Sequence, residues 1–171
     1  MIGEKWLLPD ELADTFEAVT PEKLAARGIR WIFSDIDNTL ATYDDALPPE
    51  NVSLWCKAMA DAGIGVAFVS NNERERVEKF GEPLGVPCYP KAKKPLVGTL
   101  RRAMKDCGAA PAESLLLGDQ LLTDAAAGRR MGMYVIIVPP IKDKTTPFFR
   151  FKRWIERPYM RKMIHMNKKG V

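Results

Sequence analysis

The sequence is poor in the residues on which several kinds of protein depend. Three cysteines, Cys56, Cys88 and Cys107, occur in 171 residues. They are odd in number, far apart and form no Cys-x-x-Cys. That excludes a disulfide framework and a thiolate zinc site, and it fits a reducing compartment. A single histidine, His165, excludes a histidine-rich metal site and argues against a Ser-His-Asp triad. No stretch reaches the roughly 18 to 20 unbroken apolar residues that a membrane span requires. The first seventeen residues, MIGEKWLLPDELADTFE, are too acidic and too weakly apolar for a signal or transit peptide. These absences together point to a cytoplasmic location. There is no internal repeat and no low-complexity tract.

What is present suits a folded domain. The chain is 46% hydrophobic and 28% charged, and its length is enough for one core without staples. The net charge of +4 is unevenly spread. Residues 141–171 hold ten Lys/Arg against Asp143 and Glu156, a net of +8, which leaves residues 1–140 at −4. A mildly acidic body with a basic tail implies a polyanionic partner at one end. The composition breaks at Pro139-Pro140, so the expected division is a domain over 1–140 and a basic amphipathic tail over 141–171.

Within the body, short apolar runs alternate with helical stretches. Trp31–Phe33, Gly65–Val69, Ser114–Leu117 and Tyr134–Val138 read as strands buried on both faces, as in a parallel sheet. Thr20-Pro21-Glu22 reads as the capped start of a helix, and further helices are expected at about 49–62, 73–82, 95–107 and 122–131. Alternation of this kind makes right-handed crossover units and a doubly wound, Rossmann-like α/β fold. Ligands in such folds sit at the carboxyl ends of the strands. Three expected strand ends carry polar groups: Asp35 and Asp37, Ser70 and Asn71, and Asp119.

Asp35-Ile36-Asp37-Asn38-Thr39 places two carboxylates two residues apart, so in extended chain both address one small volume. Like charges that close are costly unless a cation neutralises them. Asp119 supplies a third carboxylate and Asp124 a possible fourth. An oxygen-rich cluster without Cys or His suits Mg²⁺. A carboxylate can attack phosphorus to give an aspartyl-phosphate, and a second can protonate the leaving oxygen and then activate water. Ser70, the amides after it and a lysine from Lys91–Lys94 could hold the phosphoryl oxygens. Each piece alone has an ordinary explanation. The Asp-x-Asp reads as a turn, Ser70-Asn71-Asn72 as a helix cap, Lys94 as a solvated lysine, Gly118-Asp119 as a strand-to-helix turn and Asp124 as a surface acid. Their order at successive strand ends makes the joint coincidence improbable.

Over residues 28–140 the arrangement resembles the haloacid dehalogenase superfamily of phosphatases. The four motifs are Asp35-Ile36-Asp37-Asn38-Thr39, Ser70, Lys94 in Lys93-Lys94-Pro95, and Gly118-Asp119 with Asp124. The resemblance implies Asp35 as nucleophile and Asp37 as general acid/base. It implies Mg²⁺ held by Asp35, the Asp37 carbonyl and Asp119 with support from Asp124, and a phosphoryl group held by Ser70 and Lys94. Lys91 and Lys93 compete with Lys94, which is preferred because it precedes a proline that starts a helix.

The spacings leave no room for a cap domain, since only about ten residues separate Thr39 from the helix near Pro49 and about twenty-three separate Ser70 from Lys94. An uncapped site is open to a large substrate or is covered by another surface, such as an oligomer interface. In the tail, Phe148, Phe151, Ile155, Tyr159, Met163 and Met166 fall on one side of a helix and Arg150, Arg153, Arg157 and Arg161 opposite, with Pro158 expected to kink it. Residues 145–166 could therefore lie on an anionic membrane surface, or simply pack on the domain. Nucleic acid is the less favoured polyanion, because the body is acidic and has no basic groove. The Leu8-Pro9-Asp10 start, Gly28-Ile29-Arg30, Asp37-Asn38-Thr39-Leu40 and the Arg/Phe-rich end resemble the capless YqeG-type (subfamily IIIA) branch. That branch is similar to phosphatidylglycerophosphate phosphatases. The resemblance implies Mg²⁺-dependent removal of a lipid-headgroup phosphate at the inner face of the membrane. The alternatives are a capless phosphatase of soluble phosphomonoesters and, outside enzymes, a receiver-like or nucleic-acid-binding module.

Overall fold

The apolar runs form the centre of one parallel sheet. The computed structural model describes residues 6–142, 156–161 and 164. In chain order these make β1 (Glu11–Leu12), α1 (Pro21–Ala25), β2 (Trp31–Ser34), α2 (Glu50–Asp61), β3 (Gly65–Val69) and α3 (Arg74–Gly81). They continue with β4 (Cys88–Tyr89), α4 (Gly98–Asp106), β5 (Ser114–Gly118), a π-helical turn over Leu121–Ala125, α5 (Ala126–Met131) and β6 (Tyr134–Ile137). The strand order is β1-β6-β5-β2-β3-β4, and every pairing is parallel. The chain is thus an α/β doubly wound sheet, and the described residues contain no cap domain.

Period-two alternation sends neighbouring strand residues to opposite faces. Ile32, Phe68, Leu115 and Leu117 pack with Leu24 of α1, Val52, Trp55 and Met59 of α2, and Val77 and Phe80 of α3. Phe33, Ala67, Val69 and Leu116 pack on the other side with Leu100, Ala103 and Met104 of α4 and Ala127 of α5. Both faces are covered, which is why these strands lack a polar alternation. Register then fixes the site: Ser34 lies opposite Phe68 on β3 and Leu117 on β5, so the chain leaves all three strands at one level.

Most elements lie where the pattern puts them, and the differences have local causes. The Thr20 side chain accepts from the Lys23 amide with Pro21 at the first position of α1, as expected. The helix expected over 95–107 begins only at Gly98, because a turn in which Leu96 N–H donates to the Lys93 carbonyl precedes it. The helix expected over 122–131 opens with the π turn before α5 proper. β1 has no pattern of its own. Its two residues are strand only because the open edge of β6 is there to pair with.

Much of the basic segment, residues 143–155, 162–163 and 165–171, lies outside the described residues, and with it Phe148, Arg150, Phe151, Arg153, Ile155, Met163 and Met166. Residues 156–161, Pro158 among them, are helical, and, Ile164 apart, the rest of the expected amphipathic helix lies outside the described residues. Tyr159 and Met160 pack on Leu121, Ala125, Val135 and Ile137, while Arg157 and Arg161 are exposed. Glu156 is buried, and its Oε1 accepts the Leu122 N–H at 3.2 Å.

Candidate active site

Four strand-end segments converge beyond the carboxyl edge of the sheet. They line a cavity of about 220 Å³ with Asp35, Asp37, Ser70, Asn71, Lys94 and Asp124 in its walls. Asp35 follows β2 directly and is tied to β5 by its N–H donating to the Leu117 carbonyl at 2.9 Å. The chain then turns at Asn38, which has a positive φ of 66°. Asn38 is anchored through its carbonyl to Ile141 N–H and through its side chain to Lys142 N–H.

Lys94 is the centre of the inner wall. Its Nζ lies 3.0 Å from Asp35 Oδ1 and 2.6 Å from Asp124 Oδ1, with the lysine side chain 2% exposed. Asn71 holds the Lys94 backbone at both ends, donating to its carbonyl at 3.1 Å and accepting its N–H at 2.7 Å. Lys91 pairs with Glu73 at the surface and Lys93 is exposed, so among the three competing lysines only Lys94 enters the cavity. Ser70 is buried with its Oγ accepting the Asn72 N–H; it does not cap α3, whose N-cap is Glu73.

Asp124 reaches the cavity because of Gly118 and the π turn. A Cβ at Gly118 would sit 2.3 Å from the Asp124 carboxyl carbon, so only glycine admits that side chain. Asp124 Oδ2 accepts the Gln120 N–H at 3.2 Å. One carboxylate oxygen each from Asp35, Asp119 and Asp124 lie within 4.8 Å of one another. Asp119 Oδ1 is buried without a hydrogen-bond partner. Burial pushes the Asp35 carboxyl up to about 6, against the pull of Lys94 and with Asp124 adding to the push. Burial, then Asp124 and Asp35, push Asp119 well above its ordinary value. Burial would depress Lys94, but Asp124 and Asp35 outweigh it and the ammonium is held charged.

Three close carboxylate oxygens, an orphaned Asp119 Oδ1, and Lys94 and Arg76 as the cations paired with the cavity carboxylates among the described residues fit a hard divalent cation. Burial pushes the Cys56 thiol up to about 12 and Cys88 to about 11, and it raises Cys107 as well, which disfavours their thiolate forms.

The outer wall holds residues that the motifs do not point to. Asp37 Oδ2 accepts from Asn72 Nδ2 at 2.9 Å, and Asp37 Oδ1 accepts from Arg76 Nη2 at 3.0 Å and Nε at 3.3 Å. Tyr43, Gln120 and Thr123 complete the lining. Arg76 carried no signal of its own in the sequence, where it reads with Arg74 as solvated helix charge.

The comparisons agree with this geometry. The Bacillus subtilis (strain 168) protein named "Probable phosphatase YqeG" is 38% identical over 154 residues, covering 90% of each chain. The chain belongs to the haloacid dehalogenase-like phosphatases. A family model described as HAD-hydrolase-like matches residues 91–144. Phosphatidylglycerophosphate phosphatase 1 of Arabidopsis thaliana is 25% identical over 179 residues, covering 98% of this chain but only 51% of that one. The chain therefore spans about half the length of the plant relative. The fold is shared with the deoxy-D-mannose-octulosonate 8-phosphate phosphatase of Haemophilus influenzae in its cobalt-bound form, at a TM-score of 0.51 and 17% identity, over 77% of this chain and 89% of that one. As a member of this family the chain is a phosphatase, and its described residues form a parallel-sheet core without a cap domain.

Proposed function

We propose that this phosphatase hydrolyses phosphomonoesters through an aspartyl-phosphate on Asp35, with Asp37 as general acid/base. The observation that carries the reading is the pairing of Asp35 with Lys94 at 3.0 Å in a cavity that Asp37 also lines. The ammonium meets the negative charge of an incoming phosphoryl group while leaving one Asp35 oxygen for attack. Ser70 and the backbone after it supply further donors to the phosphoryl oxygens. Asp37 gives a proton to the departing oxygen and then takes one from the attacking water.

Asp35, the Asp37 carbonyl and Asp119 would hold Mg²⁺, with Asp124 behind them. Bound there, the ion supplies positive charge that lets two anions, nucleophile and phosphate, approach one another. A divalent ion is supported by the donor set, and a fold relative is described in a cobalt-bound form.

The substrate we favour is a lipid phosphate, phosphatidylglycerophosphate, at a membrane surface. The name of the Arabidopsis relative and an open cavity with no cap over it support this. So does the 156–161 helix, which turns Tyr159 and Met160 to the domain and leaves Arg157 and Arg161 outward for anionic headgroups. The division into a catalytic domain over 1–140 and a basic tail over 141–171 is part of the same proposal. No helix among the described residues is long and apolar enough to cross a membrane, so contact would be peripheral.

The test is phosphate release with and without Mg²⁺, wild type beside Asp35→Asn, on phosphatidylglycerophosphate in mixed micelles and on a panel of soluble phosphomonoesters. The expected result is a strong preference for the lipid, lost in the variant. Turnover of soluble esters alone would remove the lipid substrate and keep the mechanism. Full activity in Asp35→Asn would remove the mechanism.

A further inference from the structure

Arg76 stands out among the arginines of α3. Arg74, two residues earlier, pairs with Glu78 across a surface turn with its side chain 70% exposed. Arg76 is 16% exposed and turns inward. Its guanidinium stacks 5.1 Å from the ring centroid of Phe80, which is fully buried, so its stem is fixed. From there it makes two sets of bonds. Nη2 and Nε both donate to Asp37 Oδ1. Nη2 also donates to the Thr42 carbonyl at 3.1 Å, and Nη1 donates to the Asp45 carbonyl. Thr42 and Asp45 are the two ends of the turn that carries Tyr43 to the cavity mouth, and the Asp45 carboxylate closes that turn by accepting from Thr42 N–H and Oγ1–H.

One planar cation therefore ties an acidic side chain to the loop beside it. A lysine could not do this, because a point charge on a flexible stem lacks the fixed fork that spans the carboxylate and two carbonyls. With Asn72 on the other oxygen, the Asp37 carboxyl group is held from both sides.

We infer that Arg76 is the positioning residue for proton transfer by Asp37. This inference rests on the acid/base role proposed above for Asp37. In the first step the bond from phosphorus to the leaving oxygen breaks as the bond from Asp35 to phosphorus forms. The Asp37 proton passes to the leaving oxygen, and the negative charge that appears on Asp37 is met by the guanidinium already in place. In the second step water bonds to phosphorus, the bond to Asp35 breaks, and the water proton returns to Asp37. Arg76 touches neither substrate nor phosphoryl group in this scheme. It sets the direction of the carboxyl group and balances its charge.

The consequence is a dependence on the leaving group. An ester whose alcohol leaves readily needs little protonation, whereas a poor leaving group needs all of it. The value of kcat/KM reports the steps up to departure of the alcohol. The experiment measures it for wild type, Arg76→Gln and Arg76→Lys over p-nitrophenyl, phenyl and p-methoxyphenyl phosphate and a simple alkyl phosphate. General acid catalysis contributes about 10²- to 10⁴-fold, so Arg76→Gln should lose about 10²-fold on the alkyl ester and less than about 5-fold on the p-nitrophenyl ester. Arg76→Lys should fall between, and it carries the same comparison where Arg76→Gln does not fold. An equal loss on every ester, no loss, or a larger loss on the p-nitrophenyl ester overturns the inference. Asp37→Ala measured on the same series separates the two readings. If it keeps wild-type activity on the alkyl ester, the acid/base role itself fails; if it loses that activity while the arginine variants show no trend, only the role of Arg76 fails.

Discussion

The two walls of the cavity are built differently. The inner wall, Asp35, Lys94 and Asp124, grows from strand ends and is almost sealed, with side chains 10%, 2% and 1% exposed. Its groups sit in a fixed frame because β2 is flanked by β3 and β5 in register. The outer wall, Asp37, Asn72 and Arg76, is assembled from a turn, a helix and the loop at Thr42–Asp45. The inner wall carries excess negative charge in a dry place, so its groups are strained electrostatically and receptive to a cation. The outer wall is a closed hydrogen-bonding set. The cation-receptive carboxylates and the hydrogen-bonded Asp37 are thus placed on separate scaffolds.

The largest effect that would break this contrast is on the inner wall. Asp35→Asn should lower kcat by about 10⁴-fold or more, as removal of a nucleophile does, with the fold retained. Steady-state phosphate release beside a melting curve checks both. Retained turnover would move the chemistry to the outer wall.

Next comes Lys94→Met. It leaves Asp35 and Asp124 buried without their counter-charge, so the metal-free protein should lose about 3 kcal/mol in denaturant unfolding. Added Mg²⁺ should return part of that loss. A variant as stable as wild type would mean that water or movement relieves the wall.

A smaller effect concerns pH. Asp35 titrates at about 6 and Asp119 is also raised, so the native state holds these protons more tightly than the unfolded chain. The Asp35 contribution to stability is full below about pH 4 and drains away as pH rises through about 6, and that of Asp119 is likewise lost as pH rises. In EDTA the melting temperature should therefore lose this contribution between those values. Mg²⁺ should raise it more at pH 7 than at pH 5, because the ion competes with protons at the lower pH. A gain from Mg²⁺ that does not change with pH would show that the ion binds elsewhere.

The smallest expected effect sharpens the contrast at its edge. Glu156→Gln weakens the bond to Leu122 N–H that braces the π turn before Asp124 and should cost about 1 kcal/mol. It also removes a negative charge that helps push Asp119 up. Chemical denaturation together with the Mg²⁺ dependence of activity reads both. A change in neither would leave the 156–161 helix as a passenger on the domain.

Sequence and structure divide along the same line. β2, β3, β5 and β6 were legible because strands buried on both faces must be apolar throughout, and so were the acids at their ends. Of Lys91, Lys93 and Lys94 only Lys94 lines the cavity, and the helix expected to begin at its proline begins three residues later at Gly98. β1 was not legible, because two residues carry no period. Arg76 was not either. Arg-Glu-Arg in α3 reads as solvated charge, and nothing local separates Arg74 from Arg76. Residues 145–166 read as an amphipathic stripe that could face lipid or domain. Where the structure describes it, Tyr159 and Met160 face the domain.

The sequence by itself determined the doubly wound core and the set of acids at strand ends, since burial and strand termination are written in the order of residue types. Only the tertiary structure decided which arginine reaches Asp37, that Gly118 makes room for Asp124, and that Glu156 braces Leu122. Those pairings join residues 39, 6 and 34 positions apart. The two long ones arise from how α3 and the 156–161 helix are laid against the sheet. The short one comes from a π turn that folds Asp124 back over the end of β5, and no local pattern of residues encodes any of the three.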